Sequence, residues 1–296
     1  MDKDSSLNKA RIKWAWIFLT PALAILFFVA GFPLLRTIWF SFTDATLDNL
    51  DSYGFANVFN YYYIFTDVLW WKAVLTTVKF TVYSVLIETI LGIAIALILN
   101  RDVKGRGLLR AAILIPWAIP TVVSSQIWGW LYHDQFGFIN GMLRALHLIK
   151  EPIAFMGNKA LLLPTIVAVD VWKTTPFITL LVLAGLTTIS GSLYEAAAID
   201  GAGPIQRFFK ITLPLLKPTL LVTLVFRTLD AFRVFDIIYI MQGSNENTAS
   251  VSIYARQQMI DFQEIGIGAA ASVAIFLLIS IFIVVYLKIL KVDFNK

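Results

Sequence analysis

The sequence contains no cysteine and few charged residues. Without a single Cys among 296 residues, disulfides, thiolate metal sites and cysteine nucleophiles are excluded. Asp, Glu, Lys and Arg make up 15% of the chain, well below the roughly 25% of a typical soluble domain. Hydrophobic residues reach 58% and the mean hydropathy is +0.77. These values exclude an ordinary soluble domain and indicate a protein that resides in lipid.

The motifs of several catalytic chemistries are also missing. The sequence has no GxxxxGK[ST] phosphate loop, no HExxH and no GxSxG, so we expect a non-catalytic chain that itself binds no nucleotide or other cofactor. The two histidines, His133 and His147, are fourteen residues apart in one loop. That spacing favours solvated side chains over a metal pair, and we predict no metal site.

The apolar residues gather into six stretches, each at least as long as the ~20 residues that cross a bilayer as a helix. Their bounds are 14–36, 73–99, 108–132, 160–186, 215–241 and 267–290. Only helices and closed barrels satisfy their backbone in lipid, and the stretches lack the alternation of a barrel. We predict an all-α membrane protein with six transmembrane helices. Prolines are expected to interrupt helices three, four and five, at Pro116 and Pro120, at Pro164 and Pro176, and at Pro218. The first stretch is longer than a signal-peptide core, so we expect it to remain as helix one.

Lysine and arginine indicate the orientation, because they are retained on the cytoplasmic side. Fourteen of the 24 fall in the N-terminus, the 100–110 loop, the 187–217 loop and the tail, whereas six fall in the opposite set of segments. Both termini are therefore expected in the cytoplasm. The asymmetry also accounts for the net charge of +5 without a nucleic-acid partner.

The chain shows no internal repeat, low-complexity tract or linker between folded domains. We predict a cytoplasmic N-terminal segment at 1–13 and a cytoplasmic tail at 291–296. Between them lies one transmembrane domain at 14–290, which includes a polar cytoplasmic loop at 190–217.

The 190–217 loop has the features of a docking element. Ser190 or Ser192 can cap a short helix whose first turn carries Glu195, where negative charge suits the helix dipole. The alanines at 196–198 leave a thin surface that can enter a cleft.

The second half of the loop turns and returns to the membrane. Gly201 and Gly203 permit a left-handed or tight turn, and Pro204 suits the start of a second helix over 205–210. The alternative is an ordinary amphipathic loop on lipid headgroups, with Phe208 and Phe209 buried.

This loop also carries a complete sequence pattern, E-A-A-x(3)-G-x(9)-I-x-L-P. It resembles the signature loop of permease subunits of binding-protein-dependent ATP-binding-cassette importers. Segments 114–120 (LIPWAIP) and 136–140 (FGFIN) resemble the carbohydrate branch, which contains the maltose-type and glycerol-phosphate-type permeases. Segments 171–177 (VWKTTPF) and 226–233 (FRTLDAFR) are most similar to trehalose-importing permeases.

The resemblance implies a type I importer fold with a coupling helix at about 194–199, which seats in a groove of the ATP-binding subunit. It implies a second homologous permease, two ATP-binding subunits that hold ATP and Mg, and an extracytoplasmic solute-binding protein. It also implies the inner membrane of a prokaryote. The coupling role falls on Tyr194, Glu195, Ala196, Ala197, Ala198, Asp200, Gly201, Ile211, Leu213 and Pro214.

Charged residues in the fourth stretch indicate a substrate route, because charges within the membrane are costly and mark ion pairs or polar cavities. Asp170, Lys173, Thr174 and Phe177 recur at i, i+3, i+4 and i+7 and share one helical face. Hydrogen-bonding groups beside an aromatic ring suit a sugar. The resemblance aligns these four positions with sugar contacts, although Asp170 and Lys173 depart from the maltose pattern in being charged.

The fifth stretch carries a similar stripe. Arg227, Asp230, Ala231 and Val234 recur at i, i+3, i+4 and i+7, and we expect the first three to line the other side of the site. The alternative is that Arg227 with Asp230, and Arg233 with Asp236, are i, i+3 pairs that stabilise the helix.

In the second stretch, Glu88 and Lys79 are expected to form interhelical pairs without touching substrate. The sequence therefore predicts the permease subunit of an ATP-driven disaccharide importer, for trehalose or maltose. The alternatives are a permease for another glycoside, a polyol or a glycerol-phosphate-type solute, and an ion-coupled secondary transporter. A membrane enzyme would need a nucleophile or metal constellation, and none is visible.

Overall fold

The chain is helical through most of its described length. The computed structural model describes residues 3–101 and 104–289; outside the helices, these ranges hold turns, loops and one isolated β-bridge between Thr43 and Phe55. Residues 1–2, 102–103 and 290–296 lie outside the described part, and with them the predicted tail at 291–296.

The helices follow one another along the chain, with short π-helical turns at Phe27–Gly31, Phe208–Thr212 and Gln257–Asp261. They are α1 (Lys3–Leu26), α2 (Phe32–Phe40), α3 (Phe59–Thr66), α4 (Val68–Leu99), α5 (Arg106–Ala118), α6 (Thr121–Leu131), α7 (Phe138–Ala145), α8 (Lys159–Thr187), α9 (Gly191–Ile199), α10 (Pro204–Arg207), α11 (Leu213–Phe232), α12 (Asp236–Gln242), α13 (Val251–Arg256) and α14 (Ile265–Ile289).

The chain divides into two compact units, one of residues 1–67 and 255–276 and the other of residues 68–254 and 277–296. In the first unit, α1 and α2 form one apolar span, Asn8–Phe40, and none of its most apolar window is buried. Gly266 makes a close approach, because its N–H donates to Ala45 O at 2.8 Å and a Cβ there would lie 2.1 Å from Thr43 O. Only glycine fits at that position.

The second unit is built on the packing of α4 against α8, with α11 beside both. Gly92 of α4 permits the close approach, since a Cβ there would lie 2.7 Å from Cγ2 of Ile178 on α8. The core beside this contact contains Phe80, Ile166 and Ile238, all fully buried. A long α4–α8 interface of this kind gives the site a fixed wall.

The prediction of an all-α fold is confirmed. Among the described residues, five helices are long and apolar enough to cross a membrane, and the number is six if α5 and α6, a pair bent by 89°, count as one span. The predicted interruption of helix three is found at Pro120. Ile119 has ψ 132°, because the ring of a following proline disfavours the helical region, and α6 begins after Pro120, at Thr121. Pro116 stays inside α5.

The loop between α8 and α11 also differs in detail from its prediction. Its first helix, α9, begins at Gly191, so Glu195 lies in the second turn and not in the first. Ser190 caps this helix by accepting a bond from Ser192 N at 3.4 Å. The predicted separate helix at 205–210 is instead the start of a span that continues from Pro204 through α11.

Candidate functional site

One guanidinium group joins three helices in the second unit. Arg227 on α11 donates from Nε and Nη2 to the two carboxylate oxygens of Glu88 on α4, the second bond measuring 2.9 Å. Its Nη2 also donates to Oδ2 of Asp170 on α8. The side chains of Arg227 and Glu88 are 3% and 0% exposed. Because the pairing with Glu88 is bidentate and nearly dry, it fixes the geometry between these helices as well as neutralising charge.

A hydroxyl completes this cluster. Thr174 Oγ1 lies 2.6 Å from Glu88 Oε1 and 2.6 Å from the carbonyl oxygen of Asp170, one turn earlier on α8. The hydroxyl carries one proton and can therefore donate to only one of these two oxygens at a time. Thr174 thus has an acceptor for its proton whether or not it donates to Glu88.

Lys173 provides the second cation. Two buried carboxylates, Glu88 and Asp170, face the single guanidinium of Arg227, and isolated charges are very costly to bury. Lys173, also buried, lines the same space. Among the described residues none forms an ion pair with its ammonium. Lys173 therefore adds a basic side chain to the lining of the cavity, without a carboxylate partner among the described residues.

These side chains border a cavity of about 390 Å³ between α4, α5, α6, α8 and α11. Its walls include Trp117 and Thr121 on either side of the α5–α6 break, and Arg233 and Asp236 on either side of the α11–α12 break. A second cavity of about 260 Å³ shares Trp117, Thr174, Arg227, Asp230 and Arg233 with the first. Helices that are interrupted beside a polar cavity are a recurring feature of transporter binding sites.

The structure brings the seven predicted substrate residues together. Phe177 lines the smaller cavity, where its ring stacks with Trp117 at 6.1 Å between centroids. The others line the larger cavity, and three of them border both: Asp170, Lys173, Thr174, Arg227, Asp230 and Ala231. Their sugar-binding role stays a prediction.

The ion pairs on α11 differ from the predicted ones. Arg227 does pair with Asp230 at i, i+3, with Nη1 to Oδ2 at 3.2 Å. Arg233, however, approaches Asp230 at 3.7 Å and not Asp236, so the predicted Arg233–Asp236 pair is wrong. The cause is that α11 ends at Phe232, which breaks the i, i+3 relation. For the same reason, Val234 lies beyond the helical stripe to which it was assigned.

Sequence reasoning missed several residues of this site. The interhelical pair expected for Glu88 is confirmed, but its place at the centre of the cluster was not foreseen. Lys79 is exposed on α4 and forms no ion pair with the described residues. Trp117 was noted only within the LIPWAIP segment, although an indole between two prolines in an apolar helix is a usable signal. Phe80 and Phe235 gave no signal that separates them from core aromatics.

The predicted coupling residues lie on α9 and the start of α11. Glu195, Ala196, Ala198, Asp200, Gly201 and Pro214 are exposed, while Tyr194, Ala197, Ile211 and Leu213 are half-buried. Ile199, at the end of α9, is 88% exposed. An apolar side chain this exposed, next to the alanines of α9, is typical of a surface that contacts another molecule.

The loop is held against the membrane helices by a few contacts. Tyr194 OH and Thr212 Oγ1 are 3.0 Å apart, and Leu213 packs with the buried Leu186 and Leu216. Gly201 has φ 77°, the left-handed conformation that glycine adopts without strain, whereas Gly203 has φ −69°. Tyr194 therefore links α9 to the turn that leads into α11.

Comparison with known proteins supplies the family. The model of the family described as "Binding-protein-dependent transport system inner membrane component" matches residues 88–292. The trehalose/maltose transport system permease protein MalF of Thermococcus litoralis is 42% identical over 288 residues, which cover 96% of both chains. The sulfoquinovosyl glycerol transport system permease protein SmoG of Agrobacterium fabrum is 36% identical, over 94% of this chain and 90% of the relative.

The fold has a counterpart among solved structures. A chain of a bacterial ABC transporter involved in the import of the acidic polysaccharide alginate superposes with a TM-score of 0.84 at 20% identity, and the match covers 99% of this chain and 100% of the other. Together with the match over residues 88–292, this shows that the chain belongs to the family of binding-protein-dependent transport system inner membrane components, as a permease subunit of an ATP-binding-cassette importer.

Proposed function

We propose that this chain forms half of the translocation pathway of an ATP-driven importer for a neutral disaccharide, such as trehalose or maltose. The observation that carries the proposal is the polar cavity beside the Glu88–Arg227–Asp170 cluster. It offers charged hydrogen-bonding groups together with the stacked rings of Trp117 and Phe177. The hydroxyls of a sugar donate and accept hydrogen bonds, which the charged groups can provide. Its flat C–H faces can pack against the two aromatic rings.

The charge of the cavity supports a neutral ligand. Three acidic residues, Asp170, Asp230 and Asp236, line it beside three basic ones, Lys173, Arg227 and Arg233. Glu88, bound behind Arg227, adds a further negative charge. A site whose basic side chains are matched in number by acidic ones gives no advantage to a phosphate or sulfonate, whose charge would have to be desolvated.

Within this function, we assign different roles to the seven predicted residues. Lys173, Asp230 and Phe177 offer groups that a sugar can contact directly. Arg227 and Thr174 are positioning residues, because their polar atoms are committed to Glu88 and Asp170. Asp170 accepts from Arg227 and holds Lys173 beside it on α8, while Ala231 leaves room in the wall.

The remaining parts of the complex follow from the surface of α9. We propose that Ile199 and the alanines at 196–198 seat in a groove of an ATP-binding subunit, which supplies the ATP and Mg that this chain is not built to hold. The complete importer then contains a second permease, two ATP-binding subunits and an external binding protein. It lies in the inner membrane of a prokaryote with both termini in the cytoplasm.

Another glycoside is the alternative with a specific observation in its favour, since SmoG is 36% identical. The sulfoquinovosyl glycerol in the name of that relative carries a sulfonate, and the balanced charge of the cavity argues against such a ligand here. A polyol or glycerol phosphate fits less well still, because neither offers a second ring to the aromatic wall. An ion-coupled transporter would have no use for the exposed surface of α9.

The test is uptake by the complete complex in liposomes, with its binding protein added outside and ATP enclosed. We expect ATP-dependent entry of trehalose or maltose that persists when a protonophore collapses the proton gradient. Lys173→Gln and Asp230→Asn are expected to lower uptake about tenfold or more, because each removes a charged hydrogen-bond partner worth about 1.5 kcal/mol or more. Lys79→Gln, an exposed charge on the same helix as Glu88, is the control and is expected to transport normally. Faster entry of glycerol phosphate or sulfoquinovosyl glycerol than of either disaccharide would contradict the proposal.

A further inference from the structure

Another cavity lies further along α6 and α12 than the central one. The central cavity of about 390 Å³ includes Thr121 of α6 and Ile237 of α12 in its wall. A separate cavity of about 370 Å³ includes Ser125 and Gly129 of α6 and Met241 of α12. On each helix these positions recur every four residues and therefore share one face. The two cavities are successive spaces between the same pair of helices.

The lining of this outer cavity, which we name the Gly129 cavity, resembles that of the central one in chemistry. Trp130, Tyr132 and His133 offer rings, and Gln126 and Asp134 offer hydrogen-bonding groups. The Tyr132 ring is held between Trp128, at 5.5 Å between centroids, and Phe155, at 5.2 Å. A ring fixed in this way loses little side-chain freedom when it contacts a ligand.

The polar groups of the Gly129 cavity also suit hydroxyls. Ser125 Oγ donates to Thr121 O at 2.7 Å, so its lone pairs remain to accept a bond. His133 Nδ1 and Asp134 Oδ1 lie 3.2 Å apart, and no lysine or arginine of the described chain lines the space. At about 370 Å³ it falls in the size range of small-ligand sites.

We infer that the Gly129 cavity is a second saccharide-binding subsite, which a neutral sugar occupies before it reaches the central cavity. This inference rests on the proposed function, since it concerns the route of the same substrate. The subsite shortens the distance that the sugar crosses unbound. A sugar that leaves the Gly129 cavity is captured in the central cavity, one to two helical turns away along α6.

Gly129 offers a direct test. A Cβ at this position meets no atom within 4 Å, so the side chain of Gly129→Phe can leave the backbone freely and place its ring in the cavity. Gly141 on α7 also has open space around its Cβ position and does not line the cavity, which makes Gly141→Phe a matched control. Both variants are measured in the complete complex in liposomes, with radiolabelled trehalose and maltose and increasing amounts of loaded binding protein.

We expect Gly129→Phe to lower the maximal uptake rate about tenfold, which corresponds to about 1.4 kcal/mol. The KM for loaded binding protein and the ATP hydrolysis that it stimulates are expected to stay within twofold of Gly141→Phe. Trp130→Ala, at an exposed ring that the fold does not need, is expected to lower the rate in the same way, and Trp130→Phe to restore it.

Two results would overturn the inference. An uptake rate for Gly129→Phe equal to that of Gly141→Phe would show that sugar does not use the space. A raised KM at unchanged maximal rate would show a docking surface for the binding protein and not a sugar subsite. Failure of the proposed function is distinguishable, because the unmutated complex would then import neither sugar, and that result would overturn both.

Discussion

Arg227 holds two buried carboxylates at once, so its first role is structural. Lysine keeps the charge but carries a single ammonium, which cannot reproduce the paired N–H donors that face Glu88. In a buried cluster, leaving one carboxylate without its partner costs about 3–5 kcal/mol. The identity of the cation at this position therefore matters for the assembly of α4, α8 and α11.

We expect Arg227→Lys to lower the thermal unfolding temperature of the detergent-purified protein by several degrees, since a loss of about 1 kcal/mol shifts the midpoint by about 2–4 °C in chains of 150–250 residues. The measurement is the fraction that remains monodisperse after heating. Arg233→Lys is the control, because that guanidinium is 71% exposed and reaches only Asp230. Equal melting of both variants would show that the cluster does not stabilise the fold.

At the scale of single residues, the sequence predicted which residues line the cavity but not which residues they pair with. The costly charges Asp170, Lys173, Arg227 and Asp230 were all found from their presence in apolar stretches, and all line the cavity. Glu88 was found too, but its partner lies 139 positions away in the chain. Helical periodicity relates residues within one helix and carries no information on which helices meet.

At the scale of elements, the turn after α9 is the most sharply constrained. Gly201 has φ 77°, and a β-branched side chain in that conformation is strained by roughly 1–3 kcal/mol. We expect Gly201→Val to reach the membrane in normal amounts but to lose transport and to copurify less ATP-binding subunit. Glu195→Lys, which reverses an exposed charge on α9, is expected to act in the same direction.

Gly203→Ala supplies the control for this prediction. Gly203 has φ −69° and open space around its Cβ position, so alanine fits without strain. Affinity purification through the permease, followed by quantification of the ATP-binding subunit, is the measurement. Full copurification and uptake with Gly201→Val and Glu195→Lys would exclude α9 as the docking element.

The elements that the sequence predicted best are the long uninterrupted ones. The stretch at 160–186 corresponds to α8, Lys159–Thr187, and the interruptions predicted at Pro164 and Pro176 are wrong, since both prolines lie inside the helix. An interruption of helix three was predicted at Pro116 and Pro120, and the break lies at Pro120, whereas Pro116 stays inside α5. The two prolines look alike in the sequence. Which proline interrupts a helix depends on the tertiary contacts on either side of it, here Trp117 and Thr121 at the cavity.

At the scale of the whole molecule, the absence of cysteine makes the orientation measurable without background. Lys104→Cys and Gln135→Cys place single thiols in two exposed loops, on either side of the α5–α6 pair. The reagent is a membrane-impermeant maleimide, added to cells whose outer membrane is permeabilised and whose inner membrane is intact. If both termini are cytoplasmic, it is expected to label the thiol of Gln135→Cys and not that of Lys104→Cys.

Lysis is expected to expose both positions equally, which controls for reactivity. The reverse pattern would place α9 outside the cell, where no ATP-binding subunit can reach it. Labelling of both thiols in intact cells would show instead that α5 and α6 do not cross the membrane as one span.

The shared guanidinium of Arg227 also limits how this transporter can move. Separating α4, α8 and α11 would expose charges that now neutralise one another in a nearly dry setting, so those three helices are expected to travel as a rigid block through the transport cycle. The interruption at Ile119–Pro120, where no helical hydrogen bond has to be broken, is then the natural hinge. We expect access to the central cavity to alternate as α6 swings against this block, which keeps its shape.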